Sequence, residues 1–206
     1  MKLILLGAPG SGKGTQATLI SDQLGLTHIS TGDIFRDNIR RKTEIGLKIK
    51  SIIDGGDLCP DELTIQIVKE RLEKPDCQKG FILDGFPRDI SQAQALDKML
   101  PPAVVINIDV DLQKIEKRIV GRRSCPKCGG TFHIDFIGDR KDCPNCGATL
   151  VTRKDDNSEV VKERLKVYAE STKPLIDYYE KQNKLVNVDG DKSIQEVFEE
   201  IKKVLG

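Results

Sequence analysis

The chain has 206 residues, a length that suits one α/β domain with insertions and a sizeable core. Its 33 basic and 32 acidic residues give a formal net charge of +1, and aromatic residues make up only 4%. This argues against a binder of nucleic acid or of membrane surfaces, because such proteins rely on a strong positive field or on aromatic stacking platforms. No segment is long enough to span a membrane, and the apolar start is too short for a signal peptide, so we expect a cytoplasmic protein.

The first predicted elements are a buried strand at Leu3–Leu6, a glycine-rich turn and a helix over about 16–24. Residues 7–15 read Gly-Ala-Pro-Gly-Ser-Gly-Lys-Gly-Thr. Glycines let backbone N–H groups converge on phosphate oxygens, the helix N-terminus adds positive potential, and Lys13 can reach the outer phosphates of a nucleoside triphosphate. The turn therefore predicts a nucleotide-phosphate site. The hydroxyl of Thr15 comes one residue later than the usual pattern has it, which leaves open whether it contacts Mg²⁺ or only a phosphate.

Strands and helices alternate along the rest of the chain. Residues 31–33 form a predicted turn that caps a helix beginning near Ile34. The further predicted strands are 26–30, 81–84, 103–110 and 185–188, and the further predicted helices are 61–72, 111–120, 159–182 and 194–204. This alternation predicts an α/β fold with a parallel five-stranded sheet and helices on both faces, similar to P-loop NTPases.

Two segments depart from the alternation and divide the predicted fold. Residues 30–59 form a polar helical insertion, and residues 121–158 are rich in glycine and cysteine. The core then comprises 1–29, 60–120 and 159–206. We expect the two insertions to be the mobile parts. The basic residues between 36 and 50 suit a binding insertion, and they equally suit a plain solvated face.

Four cysteines in the second insertion form two Cys-Pro-x-Cys-Gly knuckles, with fourteen residues between them. In each knuckle the proline and glycine fold the backbone so that two thiolates face one point, and four thiolates complete a tetrahedral shell. We expect structural Zn²⁺ on Cys125, Cys128, Cys143 and Cys146, with iron as the main rival metal. Two disulfides are the alternative, which a reducing cytosol disfavours. The metal would stabilise an insertion that has too little core to fold alone.

Arginines at turns and element ends suggest a second, phosphate-bearing substrate, because arginine binds phosphate bidentately and is always charged. These residues are Arg36, Arg88, Arg122, Arg123, Arg153 and Arg164. The chain shows no Ser/His/Asp or Cys/His arrangement for nucleophilic catalysis. Neither His28 nor His133 is assigned a catalytic role.

Further motifs, taken with the glycine-rich turn, carry a resemblance that runs from end to end of the chain. They are Ser30-Thr31-Gly32-Asp33, Asp84-Gly85-Phe86-Pro87-Arg88, Gln92, Gly121-Arg122-Arg123, Thr152-Arg153-Lys154-Asp155-Asp156 and Val188-Asp189-Gly190. In these residues the chain resembles the adenylate kinase family of nucleoside monophosphate kinases, in its zinc-bearing, long-lid form. The resemblance implies reversible, Mg²⁺-dependent phosphoryl transfer, ATP + AMP = 2 ADP, by a monomer.

The resemblance also implies the roles of individual residues. On the ATP side it implies Gly10, Ser11, Gly12, Lys13, Gly14, Thr15, Arg122, Thr131, Phe132 and the backbone near Lys192. On the AMP side it implies Thr31, Arg36, Asp57, Leu58, Cys59, Gly85, Phe86, Pro87, Arg88, Gln92, Arg153 and Arg164. Asp84 would orient water on Mg²⁺. The implied catalytic group is Lys13, Asp84, Arg88, Arg122, Arg153 and Arg164.

Several alternatives stay open. UMP, CMP or GMP could be the acceptor on the same fold, since only the resemblance of Gln92 and Thr31 favours AMP. A nucleic-acid binder built on the cysteine module would need a basic face and leaves residues 84–88 unexplained. A GTPase-like switch lacks the Asn-Lys-x-Asp guanine-reading motif. Asp155 and Asp156 either pair with arginines in a closed state or form a solvated charge run.

Overall fold

The computed structural model describes residues 1–206, with seven strands and ten α-helices. The strands are β1 (Lys2–Leu6), β2 (Thr27–Ser30), β3 (Phe81–Asp84), β4 (Val104–Asp109), β5 (Arg122–Ser124), β6 (Thr131–His133) and β7 (Leu185–Asp189). The helices are α1 (Lys13–Leu24), α2 (Thr31–Arg40), α3 (Glu44–Gly55), α4 (Asp61–Leu72), α5 (Ile90–Met99), α6 (Leu112–Val120), α7 (Ile134–Ile137), α8 (Ser158–Val167), α9 (Pro174–Glu180) and α10 (Ile194–Leu205).

Five of the strands form one parallel sheet in the order β2-β3-β1-β4-β7, which confirms the predicted architecture. The central strand β1 is apolar along both faces because both faces are covered. Leu3 and Leu5 pack in one core cluster with residues of α1, α6 and α10, while Ile4 and Leu6 pack in another with residues of α5 and α9. The carboxyl ends of β1, β3 and β4 therefore meet at one edge of a rigid, fully buried layer.

The helix after β2 begins earlier than predicted. The expected start near Ile34 is wrong, because the hydroxyl of Ser30 accepts a hydrogen bond from the backbone N–H of Asp33 at 3.3 Å and caps the helix. Thr31, Gly32 and Asp33 are consequently the first turn of α2 rather than a separate turn. This places Thr31 directly at the end of β2, beside the site described below.

Helix α5 was absent from the predicted elements. It begins after Asp89, whose carboxylate accepts a hydrogen bond from the backbone N–H of Gln92 at 2.8 Å. Ala93 and Leu96 on this helix are completely buried against the sheet. The helix matters for function because its first turn positions Gln92.

The predicted long helix over 159–182 is interrupted. Residues 168–172 form a π-helical turn between α8 and α9, in which the N–H of Lys173 donates to the carbonyl of Tyr168 at 2.8 Å. Pro174 has no N–H to donate and begins α9, so the regular pattern cannot run through this point. The hydroxyl of Thr172, in the widened turn, donates to the carbonyl of Arg88 at 2.7 Å.

The two insertions pack over the carboxyl edge of the sheet. In the first, α2 and α3 share a small apolar cluster made of Phe35, Ile49, Cys59 and Ile67. In the second, β5 and β6 form an antiparallel pair. Arg40 of α2 donates a hydrogen bond to the carbonyl of Pro126 in the second insertion, so the two insertions touch. None of the helices in the structure has the length and apolar character needed to cross a membrane.

Candidate active site

The loop between β1 and α1 is shaped by glycines at positions that exclude other residues. Gly7 has a φ of +141°, and a Cβ added there would lie 2.6 Å from the carbonyl oxygen of Ile108. Gly12 has a φ of +100° and directly precedes α1. The chain can therefore turn sharply and present the free backbone N–H groups at the start of α1 to an anion.

Lys13 is the first residue of α1, and its ammonium group is folded back over the loop. Its Nζ donates to the carbonyl oxygens of Gly7 and Ala8, each at 2.8 Å. Burial lowers the pKa of Lys13 to about 8, with the Asp84 carboxylate opposing the shift and Arg88 among the cations that add to it. The buried Lys13 ammonium has more positive than negative neighbours, so binding of a polyanion at the loop would stabilise its charge.

Asp84 ends β3 beside β1, in register with Leu5. Its Oδ2 atom lies 3.5 Å from Nε2 of His28, and 3.4 Å from where a Cβ on Gly14 would stand. Burial raises the pKa of Asp84, but His28 and the charge of Lys13 outweigh it, so that the pKa lies below its ordinary value. Asp84 is therefore an anion next to the phosphate loop. A carboxylate in this position can bind a divalent cation or the water molecules around it.

Two arginines of the predicted site pair with the two aspartates whose role was open. Arg122 donates from Nε to Asp156 at 2.9 Å, and its Nη2 contacts the same carboxylate. Arg164 donates to Asp155 at 2.7 Å and lies 3.5 Å from Asp156. Both aspartates are buried. The paired arrangement is the one present, and the solvated charge run is excluded.

The cationic cluster continues with Arg153, Arg88 and Arg36. Nε of Arg153 donates to the Ser124 hydroxyl at 2.8 Å, and Nε of Arg88 donates to the Gly85 carbonyl at 2.9 Å. Burial together with the charges of Arg36 and Arg122 lowers the pKa of Arg153 to about 9. Burial also lowers the pKa of Arg164 to about 10, although Asp155 opposes that shift. Guanidinium groups held this close together favour binding of phosphate groups between them.

A cleft of about 550 Å³ opens between the first insertion and the core. Fifteen residues line the cleft, and nine of them are predicted site residues: Thr31, Arg36, Asp57, Leu58, Cys59, Gly85, Arg88, Gln92 and Arg164. Phe86 and Pro87 are buried beneath the adjoining loop. Burial raises the pKa of the Cys59 thiol to about 11, so it is a neutral wall of the cleft rather than a nucleophile. The arginines and the buried glutamine in its lining suit a phosphate-bearing ligand.

The residues that the resemblance implies on the ATP side, beyond the phosphate loop and Arg122, lie in the turn after β7 and on β6. The side chain of Gln16, on α1, donates to the carbonyl of Ile194 at 2.9 Å, so the turn that holds Lys192 lies next to α1. Lys192 itself pairs with Glu200. Thr131 accepts from Arg153 at 3.4 Å, and Phe132 follows it on β6.

Arg118 was not among the predicted residues. Both terminal nitrogens of its guanidinium donate to the carbonyl of Gly190 at 3.1 Å, and Nη2 also contacts Asp191 at 3.1 Å. Arg118 therefore ties α6 to the turn after β7. Arg122 lies beyond the end of α6, on β5, so helical spacing does not relate the two arginines, and no local pattern in the sequence pointed to Arg118.

The four predicted metal ligands come together in the second insertion. Their sulfur atoms all lie within 4.8 Å of one another, with 3.5 Å between Cys125 and Cys146 and 3.6 Å between Cys128 and Cys143. The sulfur atoms of a zinc tetrathiolate lie about 3.8 Å apart, given Zn–S bonds of about 2.3 Å, whereas a disulfide needs about 2.05 Å. All six cysteines of the chain are free thiols. The cluster fits Zn²⁺, and the disulfide alternative is wrong.

The two knuckles have the same local geometry. The N–H of Gly129 donates to the carbonyl of Cys125 at 3.0 Å, and the N–H of Gly147 donates to that of Cys143 at 2.9 Å. The backbone N–H of Cys128 also points at the sulfur of Cys125, at 3.5 Å. Backbone N–H groups directed at a sulfur stabilise its thiolate form, which is the form that binds a metal.

Fold and site together define a class of protein. A phosphate loop follows the first strand of a five-stranded parallel sheet, a buried carboxylate stands on the neighbouring strand, and a cluster of arginines lies between the loop and an arginine-lined cleft. No nucleophile or general base stands between the loop and the cleft. This is the arrangement of a P-loop kinase that moves a phosphoryl group between two phosphate-bearing molecules.

Comparisons with known proteins agree and are more specific. The family profile described as "Adenylate kinase" matches residues 5–184. Proteins named adenylate kinase from Thermoanaerobacter sp. (strain X514) and Clostridium acetobutylicum are 54% and 53% identical to the chain. Each alignment covers 100% of this chain, and 98% and 99% of the respective relatives. The chain belongs to the adenylate kinase family. It is a phosphotransferase of the nucleoside monophosphate kinase type, with adenylate kinase function.

Proposed function

We propose that the site transfers the terminal phosphoryl group of ATP to AMP, reversibly, so that ATP and AMP give two ADP. The observation that carries this assignment is the placement of two anion-binding regions on either side of one arginine cluster. The phosphate loop and Lys13 form one region, and the cleft with Arg36 and Arg88 forms the other. Arg122 and Arg164 lie between them, each near enough to Lys13 to affect its pKa.

The donor nucleotide is assigned to the phosphate loop. Residues 10–15 bind its phosphates through backbone N–H groups, and Lys13 exchanges its contacts with Gly7 and Ala8 for phosphate oxygens. Thr131 and Phe132 cover the donor from the second insertion, and the backbone near Lys192 receives the base. Mg²⁺ accompanies ATP in this family and would neutralise charge on the phosphates; Asp84 and Thr15 are the residues of this chain suited to hold it or its water ligands.

The acceptor is assigned to the cleft of the first insertion. Arg36, Arg88, Arg153 and Arg164 are available to its phosphate, and Gln92 to its base. Thr31, residues 57–59 and residues 85–87 supply the walls around the sugar and the base. Glutamine reads a base through one amide donor and one amide acceptor, which suits the adenine edge.

Transfer needs no general base in this assignment. The second pKa of a phosphate monoester is about 6, so the attacking group is already an anion near neutral pH. The task of the protein is to bring two polyanions into line and to stabilise charge on the group in transit. Lys13, Arg122 and Arg164 do this through fixed positive charge.

The two insertions close over the site. Residues 30–59 act as an acceptor-binding unit and residues 121–158 as a lid, while 1–29, 60–120 and 159–206 form the core. Support comes from the contact between Arg40 and the carbonyl of Pro126, which joins the two insertions above the cleft. Closure keeps water from competing with the acceptor for the phosphoryl group. The zinc cluster fixes the shape of the lid, so that the lid moves as one body.

We assign the enzyme to the cytoplasm, acting as a monomer on small-molecule substrates and without nucleic acid or membrane. Its six free thiols suit a reducing compartment. One chain supplies every residue assigned to both nucleotides, so the proposed reaction requires no second copy. The near-neutral net charge of +1 offers no field for nucleic acid.

The proposal is tested by the choice of acceptor. The purified enzyme is given MgATP with AMP, UMP, CMP or GMP in separate assays, and ADP formation is measured. We expect rapid turnover with AMP and little with the other three. A preference for a different monophosphate would contradict the assignment of AMP to the cleft, and failure to use any acceptor would contradict the proposed reaction.

A further inference from the structure

Each end of the Gln92 side-chain amide is hydrogen-bonded to a group that can act only as a donor or only as an acceptor. Its Oε1 accepts a hydrogen bond from the backbone N–H of Arg88 at 3.0 Å, and its Nε2 donates to Oδ1 of Asp61 at 2.8 Å. Gln92 is 1% exposed, yet it lines the acceptor cleft. One N–H and one lone pair of the amide remain for a ligand.

The amide cannot turn over without losing both bonds. A backbone N–H only donates, and an ionised carboxylate only accepts. If the amide rotated by 180°, its oxygen would face the Asp61 carboxylate and its NH₂ group would face the N–H of Arg88. Both contacts would then be repulsive, and buried polar groups would lose their partners.

The Asp61 carboxylate lies at the start of a helix and beside a second carboxyl group. Asp61 is the first residue of α4, where the helix dipole favours a negative charge. The nearby carboxyl is that of Asp89, and burial of Asp89 together with the Asp61 carboxylate raises the pKa of Asp89. The Gln92 amide thus donates to Asp61 at one end and accepts from the backbone N–H of Arg88 at the other.

We propose that Asp61 is a positioning residue for base selection: it fixes the orientation of the Gln92 amide and thereby sets the preference for a 6-amino over a 6-oxo purine. The inference rests on the proposed function, in which the acceptor base faces Gln92. An adenine edge offers a donor at the 6-amino group and an acceptor at N1, whereas hypoxanthine offers an acceptor at O6 and a donor at N1. For a base in a fixed pose, the second pattern requires the amide to turn over.

The consequence is that discrimination against 6-oxo purines depends on a residue that touches no substrate. A site whose polar groups are held in one arrangement rejects the wrong partner by leaving buried groups unpaired. If Asp61 is replaced by a residue that can donate as well as accept, the amide can serve either base. The preference is then reduced even though Gln92 is still present.

The test compares AMP with inosine monophosphate, which keeps the sugar, the phosphate and the purine ring and reverses the hydrogen bonding at N1 and C6. The ratio of kcat/KM for AMP to that for inosine monophosphate is measured at saturating MgATP for the wild type and for Asp61→Asn. Glu62→Gln is the matched control, because Glu62 is the next residue on α4, is exposed and makes no hydrogen bond to the site.

We expect the ratio to fall at least tenfold in Asp61→Asn, with KM for ATP changed by less than about twofold, and to stay unchanged in Glu62→Gln. A merely structural role would lower kcat/KM equally for both acceptors, so an unchanged ratio in a folded Asp61→Asn enzyme would overturn the inference. If that variant does not fold, Asp61→Ser provides the same test, because its hydroxyl also donates or accepts and serine is well tolerated at a helix start.

The inference and the proposed function fail in different measurements. A wild-type enzyme that does not favour AMP over other monophosphates contradicts the proposed acceptor. A wild-type enzyme that favours AMP, with a ratio that does not respond to Asp61, contradicts only the role of Asp61. Equilibrium binding of AMP and inosine monophosphate in the absence of ATP must follow the same order if base selection is the cause.

Discussion

Arg122, on the β5–β6 hairpin, forms one buried ion pair with Asp156 at the candidate active site. Its guanidinium is held by Asp156, whose side chain is fully buried, while Arg164 approaches the same carboxylate from α8. A guanidinium fixed in this way needs little reorganisation to stabilise charge on a transferring phosphoryl group. The pair therefore fixes the position of the guanidinium that we propose stabilises the transferring group, and its contribution to stability is secondary.

We predict that Arg122→Ala lowers kcat about 10³- to 10⁵-fold, because an arginine that stabilises the transferring group contributes about that factor in related reactions. KM for ATP should change far less, since Lys13 and the loop remain. Steady-state kinetics with both substrates varied give kcat and the KM for each substrate. The matched control is Arg140→Ala, an exposed lid arginine that pairs only with Asp142.

The substitution also leaves Asp156 without its main partner, so the thermal midpoint of the variant must be measured beside its kinetics. A loss confined to KM, with kcat near that of the wild type, would show that Arg122 binds the ground state only and would contradict its assignment. An equal loss in Arg140→Ala would attribute the effect to the lid as a whole.

At the scale of single residues, the sequence predicted those whose role follows from a local pattern. Lys13 and the glycines lie in one contiguous loop, and Asp84 directly follows a buried strand. The contact between Gln92 and Asp61 joins residues 31 positions apart on two different helices. It could not be predicted, because neither residue has a local pattern that points to the other.

Strands of the central sheet were the most predictable elements, because a parallel strand covered on both faces is apolar throughout. Helix α5 was missed because its first turn, with Ser91 and Gln92, resembles a loop, and its buried residues include small alanines. The π-helical turn at 168–172 was also missed, since a bonding shift of one residue leaves the apolar spacing nearly unchanged.

We expect the stability of the proposed lid, residues 121–158, to depend on the metal. Its regular structure consists of the β5–β6 pair, the four-residue helix α7 and a 3-10 turn at 154–156, and Phe136 is 77% exposed, so the lid has little apolar core of its own. We predict that removal of Zn²⁺ by a chelator lowers the thermal midpoint and exposes the lid to trypsin at Lys127, Arg140 and Lys141. Limited proteolysis and a thermal scan on the same samples make the measurement.

Restoring Zn²⁺ is the control for this experiment, and it should return both readouts to their starting values. Cleavage should concentrate between residues 121 and 158, since the sheet does not depend on the metal. An unchanged thermal midpoint together with unchanged lid proteolysis would contradict a structural role for the cluster.

On the scale of the whole molecule, two insertions meet above one edge of a rigid sheet. The sheet supplies the phosphate loop and Asp84, and in our proposal the first insertion encloses the acceptor while the second contributes Arg122. Both insertions were predicted from their departure from strand-helix alternation, and their roles stay predictions. It could not predict that they touch through Arg40 and Pro126, because that contact depends on the relative placement of two separate units.

We propose that closure over both nucleotides directs the phosphoryl group to AMP rather than to water. Phosphoryl transfer from MgATP can be followed with AMP present and with AMP omitted, at equal enzyme concentration. We expect rapid ADP formation with AMP and negligible phosphate release without it, because the site assembles only when both nucleotides are enclosed. Phosphate release without AMP at a rate comparable to transfer would show that closure over both nucleotides does not exclude water.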